Sequence, residues 1–194
     1  MSNEYEFTRD WFHWAPSVWE QLVPLLPDRK RFLEIGSFEG RSAAWAVENM
    51  MEDGGIFVAV DTWQGGEEHS EIAMLEVEDR FEHNVAVLKE KFPDRRVAKM
   101  KMQSYLAFGY LNEGKQFDFV YIDGSHIAKD VLADACMVWP LLKSGGIMAF
   151  DDYLWGDAKD ALHRPKLAVD AFVNLYSEHL SIIHMGYQLI VKKV

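Results

Sequence analysis

Four apolar runs in this sequence end in carboxylates: Glu34 after Arg31-Phe32-Leu33, Asp61 after Ile56 to Val60, Asp123 after Phe117 to Ile122, and the doubled Asp151-Asp152 after Ile147 to Phe150. If the runs are parallel strands, their carboxyl ends share one edge and the acids crowd one crevice. Crowded, unpaired carboxylates repel and hold on to protons. A cationic ligand or a metal removes that conflict. Oxygen-only ligation by Asp123, Asp151 and Asp152 favours a hard cation such as Mg²⁺ or Ca²⁺. The bland alternative has Asp152 capping the next segment and Asp123 accepting backbone amides. His126 follows Asp123 by three residues, which places a group that titrates near neutrality at the same crevice. His69 is a weaker candidate, and His13, His83, His163, His179 and His184 read as structural or surface residues.

The stretch Arg31 to Ser42 sets what the crevice binds. It reads as a buried strand, a tight turn holding Gly36 and Gly40, and a helix N-terminus. A dinucleotide fingerprint needs glycines where Phe38 and Arg41 stand. A phosphate loop of the Walker type comes closer with Gly36, Gly40, Arg41 and Ser42, but it is one residue short and has Arg in place of Lys. Glu34, just before the turn, suits a ligand carrying an amine and a positive charge. Asp61 lies one helix and one strand further on, where a ribose hydroxyl pair is commonly held.

The elements that must position these groups follow from periodicity. Thr8 to Leu26 has helical spacing of Trp11, Trp14, Val18, Trp19 and Leu22. It is either a helix packed on a sheet or in a dimer interface, or an aromatic lid over an acceptor pocket. Helices are expected over Ser42–Met51, Ser70–Phe92, Ile127–Lys143 and Ala158–His179, the last with a break near Pro165. Strands are expected at 30–36, 56–61, 97–102, 117–123 and 147–152. A closing hairpin, 180–184 with 187–191, turns at Met185-Gly186. The third strand alternates apolar and basic residues and belongs near an edge. A short helix begins near Ser104, whose hydroxyl either caps it or meets an adenine edge. Alternating β and α implies a mostly parallel sheet in one α/β domain, 1–194, with one antiparallel strand inserted by the hairpin.

The bulk composition narrows the partners. With 194 residues and 49% hydrophobic content, the chain suits one domain with a full core. No apolar run reaches the ~18 residues of a membrane helix, and the polar start is no signal peptide. The single cysteine, Cys136, excludes an internal disulfide and fits a reducing, cytoplasmic setting. A net charge of −11 disfavours nucleic acid and favours a small neutral or cationic acceptor.

Together, Glu34-x-Gly36-x-x-x-Gly40, Asp61-Thr62-Trp63, Asp123-Gly124-Ser125-His126 and Gly145-Gly146 running to Asp151-Asp152-Tyr153 resemble the class I S-adenosylmethionine (SAM) O-methyltransferases of the macrocin O-methyltransferase-like branch, and more distantly catechol O-methyltransferase. The resemblance spans about Arg31 to Val194, and the D-G-S-H and D-D pieces are its specific parts. It implies a Rossmann-like fold with a seven-stranded, mostly parallel sheet. It implies SAM contacts at Glu34, Gly36, Ser37, Gly40, Asp61, Thr62, Trp63, Ser104 and Asp123. It also implies a divalent metal, Mg²⁺, at Asp123, Asp151 and Asp152, and catalysis by His126 as base with Asp123. The expected substrate is a small hydroxylated molecule, a sugar being one candidate. The rival readings are a catalytically silent SAM-binding subunit that partners another enzyme, with the 1–28 segment as interface, and a nucleotide-binding enzyme using the near-Walker turn.

Overall fold

Strand β1 (Arg31–Ile35) pairs in parallel with β2 (Ile56–Asp61) on one side and with β4 (Phe117–Ile122) on the other. The computed structural model describes residues 4–66, 73–111, 116–157 and 160–194. Strand β3 (Arg96–Lys101) adds in parallel to β2, and β5 (Leu142–Phe150) adds in parallel to β4. β6 (Leu180–Met185) and β7 (Leu189–Lys193) form the antiparallel hairpin, with β7 inserted against β5. The sheet order is β3-β2-β1-β4-β5-β7-β6, so the winding reverses between β1 and β4. Ligands of such sheets bind beyond the carboxyl ends at that reversal.

Alternation along the strands divides the core into two layers. Phe32, Phe57, Phe119 and Tyr121 face one side, where they pack with α1 (Ala15–Trp19), α2 (Arg41–Asn49) and α3 (Met74–Lys91). Leu33, Val58, Val120 and Ile122 face the other, against α4 (Ser104–Leu111), α5 (Ala128–Val138) and α6 (Lys166–Leu175). Covered on both faces, β4 is buried along its whole length. No helix of the described residues is long and apolar enough to cross a membrane.

The fold class, the strand count and the hairpin match the expectation, whereas several helix boundaries do not. The long N-terminal helix is only α1 and a 3-10 turn at Val23–Leu25, because Pro16 starts one and Pro24 interrupts the next. Helix α5 stops at Val138, before Pro140, and passes through a 3-10 turn, Trp139–Leu141. Strand β5 then begins at Leu142, and its pairing with β4 jumps from Phe117↔Leu142 to Phe119↔Ile147 around the Gly145 bend. The expected 158–179 helix is a 3-10 turn (Ala161–His163) followed by α6, which starts after Pro165. The expected start of α3 at Ser70, the end of the Thr62 loop with His69, the glycine at 114 and the start at Ala158 lie outside the described residues.

Candidate active site

The turn after β1 is shaped by how close β4 comes to it. Gly36 has φ 85°, and a Cβ there would stand 1.9 Å from the Asp123 carbonyl oxygen, so only glycine fits. Gly40, at φ 78°, is the N-cap of α2, and a Cβ there would press on the Phe81 ring at 2.9 Å. Above this turn opens a cleft of about 1290 Å³ at the carboxyl ends of β1 to β5. Its walls include Gly36, Ser37, Asp61, Thr62, Ser104 and Asp123, and further along His126, Asp151 and Asp152.

Three of the residues expected to touch a cofactor stand behind this wall instead. Glu34 is fully buried, and its carboxylate accepts from Ser37 Oγ at 2.6 Å and Ser42 Oγ at 2.5 Å. Burial pushes its pKa up to about 7 against the pull of those two hydroxyls. It holds the turn to the first residues of α2 and does not line the cleft. Gly40 is turned toward Phe81, not toward the cleft. Trp63 is 3% exposed, donates from Nε1 to the Phe38 carbonyl at 2.9 Å and packs on Phe81.

Asp61 reaches the cleft, but its carboxylate already organises the backbone. Oδ2 accepts from the amides of Ser37 (2.8 Å) and Phe38 (3.0 Å), and Oδ1 accepts from the amide of Trp63 (2.7 Å). Those bonds hold Phe38 and Trp63 at the positive φ values of 47° and 51°. Ser104 is the first residue of α4 and lines the cleft, and its hydroxyl pairs with the Asp134 carboxylate.

The acids of β4 and β5 do converge. Asp123 is driven well above the usual carboxylate range, first by burial and then by the charges of Asp151, Asp152 and Glu34. Asp151 is pushed up to about 6 by burial and by Asp152. Tyr121 donates to Asp151 Oδ2 at 2.6 Å, while Asp151 Oδ1 is buried with no hydrogen-bond partner among the described residues. Asp152 sits at φ 55°, and its Oδ2 bonds His126 Nε2 at 2.5 Å. The imidazole is stacked on Trp155, with centroids 4.3 Å apart. Asp123, His126 and Asp152 offer one donor atom each within a mutual 4.8 Å. The tightest trio thus contains His126 in the place expected for Asp151, which stands next to it, tied to Tyr121. Burial, followed by the charge of Asp152, raises the Tyr187 hydroxyl above its usual range. The donor chemistry fits a divalent cation: hard oxygens accumulate on one wall, and the like charges that raise Asp123 are those a cation would offset.

Spacing alone overlooked several residues. His13 and His163, read as structural or surface residues, both line the cleft. So do Trp155 and Tyr187; Trp14, one of the residues read as a candidate aromatic lid, lines it too, set edge-on against Tyr187 at 5.3 Å. Asp134 of α5 also lines it, buried, with its carboxyl raised to about 6 by desolvation. Trp155 follows the Asp151-Asp152 pair by a few residues and was the one with a readable signal.

A family model described as a methyltransferase domain matches residues 33–153. A search of curated proteins finds no match. Among solved structures, an O-methyltransferase from Bacillus cereus in complex with SAH aligns with TM-score 0.68 at 17% identity, covering 97% of this chain and 84% of that one. The MycE methyltransferase of the mycinamycin biosynthetic pathway, in complex with Mg and SAH, aligns with TM-score 0.62 at 12% identity, covering 95% and 51%. An rRNA methylase from Streptococcus thermophilus aligns with TM-score 0.61 at 11% identity, covering 97% and 99%. These likenesses establish the shared fold. The matched span, 33–153, takes in the glycine turn and all the strand-end acids; on that match, the chain belongs to the methyltransferase domain family.

Proposed function

We propose that this protein is a SAM-dependent O-methyltransferase that acts on a hydroxyl of a small molecule, with a divalent cation, Mg²⁺, held by Asp123, Asp151 and Asp152. The observation that carries the reading is the His126–Asp152 pair beside Asp123 and Asp151 on the wall of one cleft. At about 1290 Å³ the cleft exceeds a typical single-ligand pocket and has room for a methyl donor and an acceptor together. The Bacillus cereus and MycE structures hold SAH in the same fold, and MycE holds Mg as well.

The roles divide along the cleft. Gly36, Ser37, Asp61, Thr62, Ser104 and Asp123 bind the donor, with Glu34, Gly40 and Trp63 keeping the turn in shape from behind. Carboxylates along this wall favour a sulfonium and an ammonium and repel a free phosphate. His126 accepts the hydroxyl proton. Its bond to Asp152 orients the ring and stabilises the imidazolium that forms. A bound divalent cation would lower the pKa of a coordinated hydroxyl. Holding the hydroxyl in line with the methyl group supplies much of the rate. The aromatic rim of Trp14, Trp155 and Tyr187 suits the apolar face of a sugar or a flat ring. The net charge of −11 argues against the RNA acceptor of the Streptococcus thermophilus neighbour.

Calorimetry with SAM and SAH tests the donor, and micromolar binding of both is expected. SAH release from a panel of hydroxylated sugars and phenols, with Mg²⁺ and with chelator, tests the reaction. Release that is the same under both conditions removes the cation from the reading. SAM binding without turnover on any hydroxyl acceptor would favour the silent partner subunit.

A further inference from the structure

Behind the acid wall, a line of buried polar groups crosses the sheet. Trp19, Gln188 and Tyr121 are 1%, 0% and 1% exposed, and they come from α1, the β6–β7 turn and β4. Trp19 Nε1 donates to Gln188 Oε1 at 2.8 Å, Gln188 Nε2 donates to Tyr121 Oη at 3.3 Å, and Tyr121 Oη donates to Asp151 Oδ2 at 2.6 Å.

The direction of this line follows from what each group can do. An indole N–H only donates, so the glutamine must present its carbonyl to Trp19. Its NH₂ then faces the tyrosine oxygen. Having accepted from the amide, the phenol directs its own proton to Asp151. Each bond polarises the next in the same sense. The result is that Oδ2 of Asp151 is occupied by a fixed donor, while Oδ1 has no partner among the described residues. The edge-on contacts of the Trp19 ring with Phe12, Phe119 and Tyr121, at 4.8–4.9 Å, keep the indole in place at the far end.

We propose that Trp19, Gln188 and Tyr121 are positioning residues that fix the rotamer of Asp151 and reserve its Oδ1 for a divalent cation, so that the tryptophan-rich N-terminal helix helps build the acid site from behind the sheet. The proposal rests on the reading of Asp123, Asp151 and Asp152 as a cation site. It gives the N-terminal tryptophans a third role beside lid and interface: Trp19 reaches the site through its bond to Gln188 and its edge-on contact with Tyr121.

The test is Mn²⁺ binding to the full chain by calorimetry, with SAM binding measured on the same samples. Outer hydrogen-bond partners of metal ligands typically govern about 10–100-fold in metal affinity. Tyr121→Phe removes the proton that reaches Asp151 and should weaken Mn²⁺ binding by about 10-fold or more on that scale, with SAM affinity unchanged. Gln188→Glu keeps the size and reverses the polarity: a carboxylate accepts the phenol proton and draws it from Asp151. It should match Tyr121→Phe. Trp19→Phe loses the N–H together with part of the buried ring, and should weaken Mn²⁺ binding least. A purely structural role would lower SAM and Mn²⁺ affinity together, and that parallel loss would overturn the proposal. Wild-type Mn²⁺ affinity in both Tyr121→Phe and Gln188→Glu would overturn it alone. Absence of Mn²⁺ binding by the unaltered protein would overturn the cation reading and this proposal with it.

Discussion

Strand β4 carries a buried aspartate near its start and a half-buried one just past its end, and their surroundings are opposite. Asp118 is fully buried, with Oδ2 accepting from the amides of Lys30 (3.0 Å) and Arg31 (2.8 Å) and Oδ1 from Lys143 Nζ at 2.5 Å. It is a satisfied charge that locks the start of β1 to β4 and β5. Asp123, at the other end, faces the negative charges of Asp151, Asp152 and Glu34. One residue type on one strand thus serves as a staple at the amino edge and as an unmet charge at the carboxyl edge. A protein keeps such a conflict only where a ligand resolves it, and perturbed carboxylates in a cleft mark functional sites for that reason.

The comparison can be broken most severely at the staple. Asp118→Ala leaves the Lys30 and Arg31 amides without their acceptor and the partly exposed Lys143 ammonium with Asp28 alone, at 3.7 Å. Leaving buried amide donors without an acceptor costs about 1–3 kcal/mol, which for a chain of this size lowers the thermal midpoint by about 5 °C. Thermal melts check this, and a loss of only a degree or two would make the pair ornamental.

The pH dependence sharpens the contrast next. Burial raises Glu34 to about 7 and Asp151 to about 6, above the ordinary carboxylate range. The native state therefore holds protons that the unfolded chain has released. Stability should rise as pH falls from about 7 toward the ordinary carboxylate range, and fall as pH climbs back through those folded values. Melts near pH ~5.5 and ~8 should show the higher midpoint at the lower pH. Millimolar Mg²⁺ should flatten the part contributed by Asp151 and Asp123 and leave that of Glu34, which lies behind the wall. A midpoint that rises steadily with pH in both conditions would contradict this.

The smallest effect has the opposite sign to the first. Asp151→Asn keeps an acceptor for Tyr121 and removes one like charge, so without cation the midpoint should rise by the equivalent of about 1 kcal/mol. The same change should abolish Mn²⁺ binding. A variant less stable than its parent, like Asp118→Ala, would place Asp151 among the staples.

Much of the fold was legible because local chemistry and global fold agree. The strands βαβ-alternate, the Gly145-Gly146 bend and the hairpin turn are written in residue types, and β3 announces its edge position by its basic alternation. Helix boundaries were less legible where proline acts at a distance of one or two residues, as at Pro16 and Pro140, whereas the break near Pro165 was legible. For the site, the strand-end rule brought Asp61, Asp123, His126, Asp151 and Asp152 to one edge correctly. It put Glu34 at the same edge, but that side chain lies buried behind the wall, since a position along a strand does not say which side of a turn a side chain takes.

What the sequence by itself determined is the order of strands and helices and the acids at the carboxyl ends of β1, β2, β4 and β5, because periodicity and glycine placement are local properties. The tertiary structure alone decided which acids are neutralised. Asp118 meets Lys143 through the β4–β5 pairing, and Asp151 is linked to Trp19 through Gln188 and Tyr121, across a separation of more than a hundred residues. Charge neutralisation depends on distance in space, which sequence separation does not encode.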